Sequence, residues 1–158
     1  MKTSKEDLVK QVIAGARENS IGVVLFHQAA GQILGINVTD MKCLDIIVLR
    51  GFSTPSELSG LTGLSTGSTT AMIDRLEKRG LVERRSNPDD RRGTIISLTK
   101  KSGKKLPVLF ESISNAMNNL VSSYSAEELE ILSDFFSKVI LLWKNEREHL
   151  RQQVSGNR

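Results

Sequence analysis

Three residues, Thr62-Gly63-Leu64, join two runs that each read as a helix, and this short joint constrains the chain more than any other feature. Three residues allow only a turn, and Gly63 is free to take the positive φ that such a turn needs. Upstream, Thr54-Pro55-Ser56-Glu57 opens the first helix. Thr54 can cap, Pro55 suits the first helical position, and Glu57 can close a capping box onto Thr54. Leu58 and Leu61 supply its apolar face. Downstream, Ser65 caps a second helix that runs to Arg79 and stops at Gly80. Two short helices around a glycine-containing turn form a helix-turn-helix pattern.

The second helix has two unlike faces. Thr69, Met72, Ile73 and Leu76 recur at i, i+3, i+4 and i+7 and should be buried. Thr66, Ser68, Thr70, Ala71, Asp74, Arg75 and Lys78 point elsewhere. The N-terminal half of that exposed surface carries only small side chains and hydroxyls. Small residues let a helix sit deep in a DNA major groove, hydroxyls can meet phosphates or base edges, and the helix N-terminus attracts phosphate. A capped surface helix rich in Ser and Thr is the other reading of the same residues.

The next stretch adds to the first reading. Leu81 to Arg85 and Thr94 to Leu98 are strand-like runs around Ser86-Asn87-Pro88-Asp89-Asp90-Arg91-Arg92-Gly93. They predict a hairpin whose tip carries arginines, and such a tip can reach a minor groove, where negative potential draws Arg. Asp90 can brace one arginine and limit the rotamer entropy lost on insertion. A solvated charged turn is the alternative.

The segment STGSTTAMIDRLEKRGLVERRSNPDDRRGTIISLT closely resembles the helix-turn-helix and wing of the MarR (multiple antibiotic resistance regulator) family. The specific marks are DRLEKRGLVER, NPDDRR and the SLT that ends the second strand, and the flanking helices extend the resemblance over nearly the whole chain. The resemblance implies a winged helix-turn-helix, an obligate homodimer and regulation of transcription. Carried onto this chain, it places Ser65, Thr66, Ser68, Thr70, Ala71, Arg75, Lys78 and Arg85 on double-stranded DNA, with Arg91 and Arg92 at the minor groove and Asp90 supporting Arg92. One departure is notable. Many members carry an arginine that contacts DNA where this chain has Ala71, so base readout should rest more on Thr66, Ser68, Thr70 and the wing.

Charge is distributed accordingly. The 158 residues carry a net +4, but Asp74 to Lys105 hold eleven Lys and Arg against five Asp and Glu, a net +6 that leaves −2 for the rest. That is the electrostatic footprint of a nucleic-acid binder. Aromatic residues make up only 4%, so aliphatic side chains must do most of the packing. The single cysteine, Cys43, allows no intrachain disulfide and fits a reducing compartment. No signal peptide and no run of about twenty apolar residues is visible, so a cytoplasmic protein without a membrane partner is expected.

The flanks read as helices. Ser4 can cap a first helix with Asp7 in the capping-box position, and an apolar stripe continues to about Leu34. Gly15, Gly22 and Gly31 within it could mark breaks or close approach by another helix. Thr39-Asp40 starts a helix with Met41, Leu44, Ile47 and Val48 buried, ending near Arg50. Phe52-Ser53 can add a short strand beside the wing. Thr99 caps a long helix in which Pro107 should cause a kink or delay the start. Ser125-Ala126-Glu127-Glu128 is a capping box for a last helix reaching about Leu150, with Leu132, Phe136, Val139, Ile140 and Trp143 as its stripe. These helices carry more apolar surface than one small winged domain can bury, which calls for a partner copy; a monomeric helical bundle is the alternative.

The expected fold is mainly α with a small β-hairpin wing. A winged helix-turn-helix spans residues 37–99, flanked by dimerisation helices over 1–36 and 100–152, with a flexible tail at 153–158. No metal or catalytic constellation is visible, and neither cofactor nor enzymatic activity is expected: His27, His149 and Cys43 lie far apart in sequence, and no phosphate-binding loop or nucleophile motif occurs. Cys43 fits core packing better than redox sensing. His27 could hydrogen-bond a small aromatic effector of the kind the resemblance implies between dimer helices and winged domain, or be structural. The expected function is a homodimeric regulator on a pseudo-palindromic operator, a repressor relieved by a small molecule. A winged-helix dimer that binds protein instead of DNA is the alternative.

Overall fold

The computed structural model describes residues 3–87 and 93–156, with side chains to 153. Two compact units divide the chain, residues 1–109 and 110–158. In the first, α1 (Lys5–Leu34) is one unbroken helix. Ser4 Oγ accepts the Asp7 backbone N–H at 3.1 Å. The three helical glycines do not break it. Space is open around Gly15 and Gly22, whereas a Cβ on Gly31 would lie 2.9 Å from the Ile36 carbonyl, so Gly31 lets the returning chain pass close.

That chain turns 95° into α2 (Val38–Arg50). Asn37 caps it by accepting the Asp40 N–H at 2.8 Å, two residues ahead of the expected Thr39 start. Met41, Leu44 and Ile47 are buried as expected, and Cys43 with them. Val48 is not: it is 52% exposed, in a last turn whose residues Val48, Leu49 and Arg50 all lie beyond the core.

Then follow β1 (Phe52–Ser53), α3 (Pro55–Thr62), α4 (Thr66–Lys78), β2 (Val82–Ser86), β3 (Thr94–Leu98) and α5 (Ser102–Val121). The sheet is antiparallel with strand order β1-β3-β2, and the hairpin register pairs Val82 with Leu98 and Ser86 with Thr94. Alternation turns Ile96 and Val82 into the core. Met72, Ile73 and Leu76 of α4, Leu58 of α3 and Leu44 of α2 are fully buried with them, each such side chain worth about 1.5–3 kcal/mol. Of the expected α3 pair, Leu58 is fully buried and Leu61 half-buried.

Thr99 Oγ1 accepts the Ser102 N–H at 3.1 Å at the start of α5. Pro107 lies inside α5, which neither begins after it nor ends at it. In the second unit, α6 (Ala126–Gly156) starts from the expected reciprocal box: Ser125 N–H donates to Glu128 at 2.8 Å and Glu128 N–H to Ser125 Oγ at 3.3 Å. α6 runs past Leu150 to Gly156, because nothing before that glycine breaks a helix. Backbone expected as tail from 153 is thus helical to 156. None of the described α6 side chains is buried within this chain; Phe136, Ile140 and Trp143 are 55%, 68% and 66% exposed. Among the described residues no single helix is long and apolar enough to cross a membrane.

Candidate nucleic-acid interface

The turn between α3 and α4 is tied from both sides. On α3, Thr54 accepts the Glu57 N–H at 3.2 Å and its own N–H donates to the Glu57 carboxylate at 2.8 Å. These bonds hold the Glu57 carboxyl below its usual range, the Thr54 backbone donor being the largest cause. At the turn, Gly63 has φ +78°, and the Ser59 hydroxyl donates to the Leu64 carbonyl at 2.7 Å. Ser65 then caps α4, accepting the Ser68 N–H at 3.2 Å. α4 therefore leaves the turn at an angle set by hydrogen bonds as well as packing.

Thr69, Met72, Ile73 and Leu76 are all buried, which rolls the opposite face of α4 outward. Ser65, Thr66, Ser68, Thr70, Ala71, Arg75 and Lys78 are exposed together, as the periodicity predicts. Their hydroxyls are partly committed. Ser65 Oγ donates to Ser68 Oγ at 2.9 Å, and Thr70 Oγ1 donates to the Thr66 carbonyl at 3.0 Å. Thr70 thus offers acceptor lone pairs outward, while the Ser68 hydroxyl keeps a proton to donate. Thr66 and Thr70 also line a concavity of about 550 Å³ with Thr54, Ser56, Asn87 and Thr94, which joins the α3 start, α4 and the hairpin base into one hydroxyl-rich surface.

The arginines are less alike than the sequence suggests. Arg75 is half exposed, yet its Nε and Nη2 grip the Asp40 carboxylate at 3.1 and 2.7 Å, and Asp40 is 2% exposed. That hydrogen bonding raises the Arg75 pKa further. Arg85 projects from β2, its Nε donating to Glu83 at 2.9 Å. Arg84, absent from the expected site, reaches from β2 to both Asp74 and Glu77 on α4, with the Asp74 hydrogen bond the main cause of its raised pKa. It pairs with both Asp74 and Glu77, offsetting one of their two charges, and fastens the hairpin to the helix. Nothing local in the sequence marks Arg84 or Asp40 for these roles, since their partners lie seven to thirty-five residues away. Asp90, Arg91 and Arg92 lie outside the described residues.

His27 sits at the α1–α2 corner. Its Nε2 is 3.2 Å from Asp45 Oδ2, and Lys42 Nζ lies 3.4 Å from Nδ1. The Phe26 ring meets it edge-on at 5.7 Å. Burial raises the Asp45 pKa, opposed by the charges of His27 and Lys42. Burial, helped by the Asp40 charge, pushes the Cys43 thiol up to about 12, so it stays protonated at neutral pH and packs as a small hydrophobe. Among the described residues no group of three His, Cys, Asp or Glu could hold a metal ion.

Comparison with known proteins agrees with this geometry. The MarR family model matches residues 36–94. An uncharacterized HTH-type transcriptional regulator of Bacillus subtilis, YcgE, is 41% identical over 96% of this chain and 98% of its own. The multiple antibiotic resistance protein MarR of Escherichia coli is 30% identical over 68% of this chain and 75% of its own. Among solved structures, a mutant MarR from E. coli complexed with operator DNA superposes with TM-score 0.54 at 23% identity, covering 87% of this chain and 99% of that one. A transcriptional regulator from Thermotoga maritima gives TM-score 0.59 at 23% identity, covering 87% and 96%. With the turn, the exposed helix and the hairpin all in place, the chain belongs to the MarR family of winged helix-turn-helix transcriptional regulators.

Proposed function

We propose that the protein is a homodimer that binds a pseudo-palindromic DNA operator through α4 and the wing, and represses transcription until a small aromatic molecule releases it. The observation that carries the DNA reading is the α4 face: exposed hydroxyls at its N-terminal end, cations toward its C-terminal end, and both of its carboxylates drawn into pairing with Arg84. Ser65, Thr66, Ser68, Thr70 and Ala71 would meet the major groove. Lys78 and Arg85 would meet phosphates, and Arg91 and Arg92 the minor groove, with Asp90 orienting Arg92. Two-fold symmetry of a dimer would make the operator two-fold.

The dimer rests on exposed apolar side chains. Leu8, Val12 and Ile21 of α1 and Phe136, Ile140 and Trp143 of α6 are each about half or more exposed in a single chain. Apolar stripes of this kind on long helices are surfaces that a second copy would cover. The effector would bind at the α1–α2 corner, where His27 would exchange Lys42 or Asp45 for a ligand and thereby alter the spacing of the two reading helices. A cytoplasmic location accompanies this role.

Site selection from a random DNA pool, followed by titration of the selected duplex at rising salt, tests the reading. A two-fold consensus and a steep loss of affinity with salt are expected from counterion release. Recovery of no consensus, with salt-insensitive binding, would overturn it.

A further inference from the structure

We infer that Asp40 is a positioning residue for DNA binding: it holds Arg75 in one pose so that the remaining guanidinium nitrogen faces the DNA backbone. The inference rests on the reading of α4 as the DNA-facing helix. Ser68, Ala71, Arg75 and Lys78 fall at i, i+3, i+7 and i+10, one row along the exposed face. Arg75 is therefore on the surface that approaches DNA, two turns below the hydroxyls. Its Nε and Nη2 are both taken by Asp40, at 3.1 and 2.7 Å. Nη1 has no protein partner among the described residues, and the side chain is half exposed.

Asp40 is suited to the task. It is 2% exposed and sits in the first turn of α2, where Asn37 holds its backbone N–H and the helix N-terminus favours its negative charge. A buried carboxylate with fixed orientation accepts the planar fork of Arg in one geometry. The rotamer entropy of Arg75 is thus spent in folding rather than on binding. Ala71, one turn nearer the α4 N-terminus, is too short to obstruct the third nitrogen. The fork gives a rigid donor at a set height along the groove edge, which fits a phosphate oxygen better than a base.

The test uses the full-length protein, a selected operator duplex and four variants: Asp40→Asn, Arg75→Met, the double variant, and Arg75→Lys. Affinity is measured against salt beside melting temperature. If Asp40 positions Arg75, Asp40→Asn and Arg75→Met each lower affinity about tenfold and each make the salt slope shallower by about one per protomer. The double variant is then no worse than either single one. Arg75→Lys, which keeps the charge and so the ion pair with Asp40, keeps the fold without restoring affinity, because an ammonium cannot grip the carboxylate and reach outward together. A second measurement replaces single phosphates by neutral methylphosphonates. One position per half-site should cost the wild type about tenfold and cost Arg75→Lys much less. The inference is overturned if the salt slope is unchanged in the variants that fold, or if no methylphosphonate position distinguishes Arg75→Lys from wild type. Failure of the wild type to bind any selected duplex would instead remove the DNA reading of α4 itself.

Discussion

Phe136→Ala on α6 gives a quantitative test of the dimer. Phe136 is 55% exposed within a single chain. A Phe side chain carries roughly 200 Å² of surface, so about 110 Å² is open to water in one copy. If the partner covers it, burial contributes about 2.7 kcal/mol at about 25 cal/mol per Å², and an alanine recovers a fraction of that. The loss is then about 2 kcal/mol for each copy. Two copies face each other in a symmetric dimer, so the dissociation free energy should fall by about 4 kcal/mol, about a thousandfold in Kd. Sedimentation equilibrium over a dilution series reads this directly. Trp143, the only tryptophan and 66% exposed in one chain, supplies a second reading. Its emission should be that of a covered indole in the wild type and shift to longer wavelength as Phe136→Ala dissociates. A wild type that sediments as a monomer at micromolar concentration would refute the reasoning. So would a Phe136→Ala protein whose dissociation constant and Trp143 emission match the wild type.

Arg92→Ala should weaken operator binding by about 1–3 kcal/mol if that side chain enters a groove, with an unchanged melting temperature; equal affinity for a selected duplex would exclude the wing from recognition. Ala71→Arg should tighten binding and add a guanine preference in each half-site, because an arginine can bond guanine in two places where a methyl can at most touch thymine. Site selection with both proteins decides this, and a wild type that already demands guanine under α4 would contradict it. Glu57→Gln should destabilise the fold at neutral pH. Because the folded protein lowers the Glu57 pKa, the charged carboxylate's contribution is present above the ordinary glutamate pKa and fades as pH falls through the folded value. Thermal melts of wild type and variant should therefore converge in acid, and a constant gap from pH 7 to pH 3 would show that ionisation of Glu57 does not matter.

The residues themselves determined whatever depends on neighbours a few positions apart. Caps at Ser4, Thr54, Ser65 and Ser125, the stop at Gly80 and the buried row Thr69, Met72, Ile73 and Leu76 are set by hydrogen bonds within one turn and by a 3.6-residue period. Both the helix-turn-helix and its exposed hydroxyl face were legible for that reason. Tertiary structure decided what depends on distant partners. Val48 has the right period but emerges past the core. Arg75 looked like one more cation for DNA until Asp40, thirty-five residues earlier, arrived beside it. Arg84 reaches Asp74 and Glu77 only because the path of the chain brings β2 back beside α4. Local propensity is short-ranged, so it places a side chain on a face. An ion pair also needs the path of the backbone between its two members, and only packing of the whole unit supplies that path.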